Sequence, residues 1–295
     1  MVLIVFLLAY VIRRQLDTAN RVSGDKLWRH WFHRADTVKA GHENGVVGGL
    51  TLVVLPALVA GLGIYALDVV GWQIAGYPLE ILILVLLMGA PGWDAVLRAY
   101  SMSWRRGDMQ AAWRNVEDRL PADERGAALS PDALHLSVAR VFMVTVFQRF
   151  FLVAFWYVVG GVGVAVLARG MVALAEQWPR AAARPRFERY AEILAWIPVR
   201  LLSVTFGIAG DLAGWLRESP DGAGRIHKNV ADTLMVSANG SLTGYALDPN
   251  RFSQMHPEEW ADFGARSLSA IRDLLNRSML VWICALALLV IFGIA

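Results

Sequence analysis

The sequence predicts an all-α, polytopic integral membrane protein with about four to six transmembrane helices and amphipathic cytoplasmic helices between them. Three observations carry this. The 295 residues are 56% hydrophobic and only 18% charged, whereas a soluble domain is about 45–50% apolar and about 25% charged. Mean hydropathy is +0.44. The apolar residues fall in blocks with the charges between them, which is the pattern of spans and loops.

The first block, Val2–Ile12, is short. With Arg13 and Arg14 as snorkelling anchors it is expected to form a first span over 2–16. No positive region precedes it and no small-residue cleavage site follows, so a secretory signal is not expected. The next spans are expected at 46–70, 79–97 and 150–168, each holding the roughly 20 apolar residues that cross hydrocarbon. In the last of these, Gly160, Gly161 and Gly163 leave room for a neighbouring helix to approach closely. Block 193–212 is long enough but contains Pro198, Arg200 and Asp211. A crossing, a kinked helix and a half-buried helix all stay open there. A final span is expected over 278–295. Residues 1–295 are expected to form a single helical membrane domain.

The connections carry helical patterns too. Leu97, Tyr100, Trp104, Ala112, Trp113, Val116 and Leu120 recur three or four apart, as in one amphipathic helix or two helices hinged at Gly107. Pro257, Glu258 and Glu259 form a helix-start signal. The apolar pattern that follows runs into the last span, so one long helix is expected to emerge from the membrane there.

Charge sets orientation. Residues 13–45 and 98–140 each hold seven Lys/Arg and the connection 71–78 holds none. The first two are therefore expected in the cytoplasm and the third outside. The five arginines of 169–192 oppose this scheme if 150–168 crosses once. All but three of the 28 cationic residues are arginine, yet no loop interleaves a basic run with aromatics. A nucleic-acid partner is not expected. The partner is the lipid bilayer. The lone Cys284 cannot form a disulfide within the chain.

No motif of a soluble enzyme class occurs: no phosphate loop, no nucleophile elbow, no H-E-x-x-H. His30 and His33, flanked by Trp28 and Trp31, fit an interfacial anchor better than a metal site, since no carboxylate or cysteine completes them. Polar residues at spans are stronger candidates, because a charge at mid-membrane is costly. Gln148 and Arg149 open one span, as ligand contacts or as snorkelling residues. Arg200 follows Pro198 by two residues, and Glu192 and Asp211 lie too far along the helix to pair with it directly. An anion site and a helix–helix clamp both fit. In 224–244, Ile226, Val230 and Leu234 make a helical stripe beside Lys228, Asn229 and Asp232. The turn after it could bind an anion through backbone N–H groups or be a helix end capped by Gly240.

Four stretches resemble the AmpE family of membrane proteins: LRAYSMSWRRGDMQAAWR (97–114), FQRFFLVAFWYVVGGVG (147–163), RYAEILAWIPVRLLSVTFGIAGD (189–211) and KNVADTLMVSANGSLTGYAL (228–247). The resemblance implies a bacterial inner-membrane protein linked to β-lactamase induction and to the AmpD amidase. It implies a regulator rather than an enzyme, with no cofactor. AmpE is in turn similar to the CbiB/CobD cobalamin-biosynthesis enzymes. Gly107-Asp108 with Ala111 and Ala112 resembles the G-D-x-x-A-A/R element of those enzymes, and Ile197-Pro198-x-Arg200 resembles their I-P-A-R. Where the enzymes carry an acidic Glu-Asn-x-x-Asp element, residues 144–151 here include Gln148 and Arg149 and no acid. The expectation is a pocket for an anionic small molecule lined by Arg200, Gln148, Arg149, Lys228, Asn229 and Glu192. The alternative is an ATP- and Mg-dependent amide synthase with Asp108, Glu192, Asp211 or Asp232 on the metal.

Overall fold

The computed structural model describes residues 1–18, 24–35, 46–121, 124–125, 130–218, 229–244 and 246–293. Its helices are α1 (Val2–Thr18), α2 (Gly24–Ala35), α3 (Val46–Val69), α4 (Gln73–Leu87), α5 (Trp93–Arg105), α6 (Met109–Val116) and α7 (Pro131–Val146). They continue as α8 (Leu152–Gln177), α9 (Arg184–Ala209), α10 (Leu212–Glu218), α11 (Val230–Ser241), α12 (Pro249–Met255) and α13 (Trp260–Ile291). No strand occurs among the described residues.

Among the described residues, four helical runs are long and apolar enough to cross a membrane: Val46–Val69, Pro131–Gln177, Ala181–Ala209 and Pro257–Ile291. Only 11% of the most apolar window of α3 is buried. Leu55, Leu58, Val59 and Leu62 stand open on it. Such a face in water would be an adhesive patch; in a bilayer it is the solvated surface. The chain is an all-α polytopic membrane protein.

It divides into two compact units. One comprises Met1–Pro91, Val146–Pro198 and Leu286–Ala295, the other Gly92–Thr145 and Val199–Ala285.

In the first unit, α3 and α4 form an antiparallel pair turned at Val70–Trp72, with Gly71 at φ 81°. The expected span 79–97 is not one helix. α4 ends at Leu87, and α5 begins at Trp93 after Gly89 (φ 112°), Pro91 and Gly92 (φ 79°). Proline removes a donor from the ladder, and left-handed glycines end a helix.

The expected single crossing at 150–168 is also corrected. The run from Pro131 to Gln177 passes through a π turn at Phe147–Phe151 and reverses at Gly161 (φ 73°, ψ −172°). That backbone conformation is open only to glycine. Packing fixes the reversal. A Cβ on Gly163 would lie 3.0 Å from Gly61 Cα, one on Gly170 2.4 Å from Val53, and one on Gly49 3.3 Å from Leu174. Numbers rise along 162–177 as they fall along α3. On the other limb, the Tyr157 hydroxyl donates to Glu80 (2.8 Å) and Arg149 donates to the Gly89 carbonyl (3.2 Å). That limb is antiparallel to α4. α8 is therefore a helical hairpin whose two ends emerge on one side, the side of α2. Residues 169–177 return there. Of the three glycines, Gly163 makes the close helix approach and Gly161 makes the turn.

Arg13 does not snorkel. It is fully buried, donates to Asp17 (2.7 Å) and to the Val85 carbonyl (3.1 Å), and ties α1 to the end of α4. α2 carries Asp25, Trp28 and Phe32 on the stripe that faces α8. Phe32 is buried against Trp178, and the Trp28 ring reaches Gly170.

In the second unit, α5 and α6 hinge at Gly107 (φ 72°), the second of the two arrangements that the periodicity allows. Tyr100, Trp104 and Phe263 surround the buried His135, whose Nδ1 lies 3.2 Å from the Tyr100 hydroxyl and whose Nε2 lies 2.9 Å from Ser267. α9 runs past Pro198 to Ala209, so 193–209 is a continuous helical stretch and Asp211 lies beyond it. α13 follows one 3-10 turn at Pro257–Glu259, as expected. Gly240 is not a cap but lies inside α11. There it lets α10 approach: a Cβ on Gly214 would sit 2.4 Å from the Gly240 carbonyl. The left-handed residues are Thr243 and Gly244.

Candidate functional site

The polar end of the first unit gathers side chains from α1, α2, the α4–α5 break and both limbs of the α8 hairpin. Arg149 sits in the π turn, a local widening of the helix that often accompanies function. Its Nη2 lies 2.6 Å from Asp25 Oδ2. Arg169 comes back on the return limb, and its Nη2 lies 2.6 Å from Asp25 Oδ1. One carboxylate thus bridges two guanidiniums. Glu176 is 3.7 Å from Arg169 and 4.0 Å from Arg149.

The floor of this centre is the Met88–Pro91 break. The Gly89 carbonyl accepts from Arg149, the Ala90 N–H donates to Asp17 (2.9 Å), and Asp17 holds Arg13. The Arg13 guanidinium lies so close to Gly89 that a Cβ there would stand 1.8 Å from Nε. Three arginines (13, 149, 169) face three carboxylates (17, 25, 176), so the formal charge is balanced. The hydrogen bonding is not. Arg169 is 2% exposed, and its Nη1 has no partner among the described residues, nor has the buried Nε of Arg149.

Burial by itself would raise the Asp25 carboxyl. Arg149 and Arg169 outweigh it and hold the group below the ordinary aspartate value. Asp25 is therefore an anion throughout the neutral range.

The expected ligand residues are distributed otherwise. Gln148 is the half-buried neighbour of Arg149 in the π turn, and Glu192 is exposed on α9. Arg200 is half-buried and belongs to the second unit. So does Asn229, whose side chain caps α11 by accepting from Asp232 N–H (2.7 Å), a structural task. Lys228 and Ile226 lie outside the described residues. Asp108 caps α6 by accepting from Ala111 N–H (2.9 Å). Asp211 stands between α9 and α10, 4.0 Å from Arg217. Among the described residues no three of His, Cys, Asp and Glu converge as metal ligands. His30 and His33 are exposed on α2.

Asp25, Arg169 and Glu176 were not singled out by the sequence. The signal for Arg169 was the run of arginines at 169–192 that a single crossing would misplace. No local pattern marks Asp25, 144 positions before its Arg169 partner. No family model, curated protein or solved structure matches the chain.

Proposed function

We propose that this chain is a membrane-embedded regulator of the AmpE kind that senses an anionic small molecule through Arg149 and Arg169. The supporting observation is the pair of guanidiniums converging on one carboxylate while each keeps an unpartnered buried N–H. Such a pair forms charge-assisted, forked hydrogen bonds to carboxylate or phosphate. Asp25 is then the internal anion that holds the site when ligand is absent. A ligand with more acceptor oxygens satisfies the orphan donors as well and replaces Asp25. Freed of that bond, α2 loses its polar anchor on α8, and its undocking is the signal. The AmpE resemblance supplies the setting: the bacterial inner membrane, β-lactamase induction and a functional link to the AmpD amidase.

The test is a host with inducible β-lactamase that lacks its own AmpE. Wild-type chain is expected to change the induction threshold, and Arg169→Gln, confirmed in the membrane by blot, is expected not to. Equal effects of the two would remove the site. Growth of a cobinamide-synthase-deficient host on cobyric acid would instead move the assignment to an amide synthase of the CbiB/CobD type.

A further inference from the structure

The second unit contains a groove that the regulator proposal does not use. α5 and α13 run antiparallel: Arg105 pairs with Asp262 (2.7 Å) at one end, and Arg272 lies 3.9 Å from Asp94 at the other. At the Trp104 end they pack tightly, with Gly264 flat against the indole, where a Cβ would meet it at 2.8 Å. Between them lies a cavity of about 570 Å³, within the size range of small-molecule sites.

Its polar lining is ordered. Asp94, Arg98, Ser101 and Arg105 follow one another at helical spacing on α5, and Ser269 and Arg272 face them from α13. The two outer arginines are each engaged by an acid. Arg98, in the middle, has no carboxylate partner among the described residues. Beside it the groove offers two hydroxyls and an apolar wall of Leu97, Met102 and Leu268.

A guanidinium flanked by hydroxyl donors suits one tetrahedral or planar anion. Acids at both ends disfavour a polyanion, and the apolar wall has no use for a fully polar ligand. We infer that this groove binds an amphiphile with a single phosphate head, the head on Arg98 between Ser101 and Ser269 and the tail along Met102 and Leu268. The class includes anionic phospholipid and soluble alkyl phosphate esters. This site stands independently of the Arg149–Arg169 centre.

The test uses the full chain in phosphatidylcholine nanodiscs, titrated calorimetrically with hexyl phosphate. Saturable binding is expected, weakened at least tenfold by Arg98→Ala and unchanged by Arg106→Ala, which replaces an exposed arginine outside the groove. Inorganic phosphate is expected to bind at least tenfold more weakly than hexyl phosphate. Repeating the titration in nanodiscs containing phosphatidylglycerol separates the sources. Loss of hexyl phosphate binding there assigns the groove to lipid, and retention assigns it to a soluble ester. No saturable binding in phosphatidylcholine, or equal binding by Arg98→Ala, overturns the inference.

Discussion

Arg149 and Arg169 stand twenty positions apart in one helical run, and both donate to the carboxylate of Asp25. A straight helix would set them about 30 Å apart. Only the reversal at Gly161 brings them together, so the same glycine that shapes the membrane segment also assembles the site.

Removing the bridging carboxylate should be costly. Asp25→Asn leaves the two guanidiniums with only the more distant Glu176, 3.7 Å from Arg169 and 4.0 Å from Arg149, as counter-ion, and breaking a buried pair this way costs about 3 kcal/mol. The expected result is a clear drop in the unfolding midpoint in detergent. Adding Arg169→Gln to Asp25→Asn should recover part of that loss, because the repulsion is gone. A double-mutant cycle with no coupling would show that the contact carries no energy.

Asp25 also sets a pH dependence. Its folded pKa lies below the ordinary value, because Arg149 and Arg169 more than offset the effect of burial. Its stabilisation is therefore complete above the unfolded value of about 3.9 and is lost as pH falls through the lower, folded value. Docking of α2, followed with a spin label at the exposed Leu27, should be constant from neutral pH to about pH 5. It should weaken only in stronger acid. Asp25→Asn should abolish that dependence.

The α3–hairpin contact leaves no space for a side chain. Gly163→Ala places a methyl 2.9 Å from the Ala57 carbonyl, and overpacking of this kind costs about 1–3 kcal/mol. Gly48→Ala, on the same α3 but with nothing within 4 Å, should be neutral. Comparison of their unfolding midpoints checks the packing directly.

Asp108 belongs to the segment that resembles the G-D-x-x-A-A/R element, yet its side chain caps α6. Asp108→Ala should lose about 1 kcal/mol of stability, and Asp108→Ser should restore most of it. A serine that restored the fold but not the effect on induction would assign Asp108 a chemical role beyond capping.

Local devices were legible in the sequence. The break at Gly107 and the helix start at Pro257 depend on residues a turn or two apart, and periodicity reports that range; at Gly163 the small residues signal a close approach, although the partner, Gly61, is far away in the chain. The break at Gly89–Gly92 was present in the residues but hidden by hydropathy, which averages Gly and Pro into their apolar neighbours. The hairpin was hidden for a deeper reason. A helix that crosses and one that turns back have the same composition, and only Gly161 and the arginines beyond it distinguish them. Arg149 is legible because it stands where a span opens. Asp25 is not, because its role comes from a contact across the fold and not from its neighbours. The sequence places Arg13 at the membrane surface, since nothing local shows that Asp17 and the Val85 carbonyl turn it inward.

The most direct measurement is an electron–electron distance between spin labels at Gln148 and Gln177 in a Cys284→Ser background. If α8 reverses at Gly161 to build the two-arginine site, the labels lie within about 20 Å of each other. A distance of about 40 Å, that of an unbroken helix, would contradict the hairpin and the site with it.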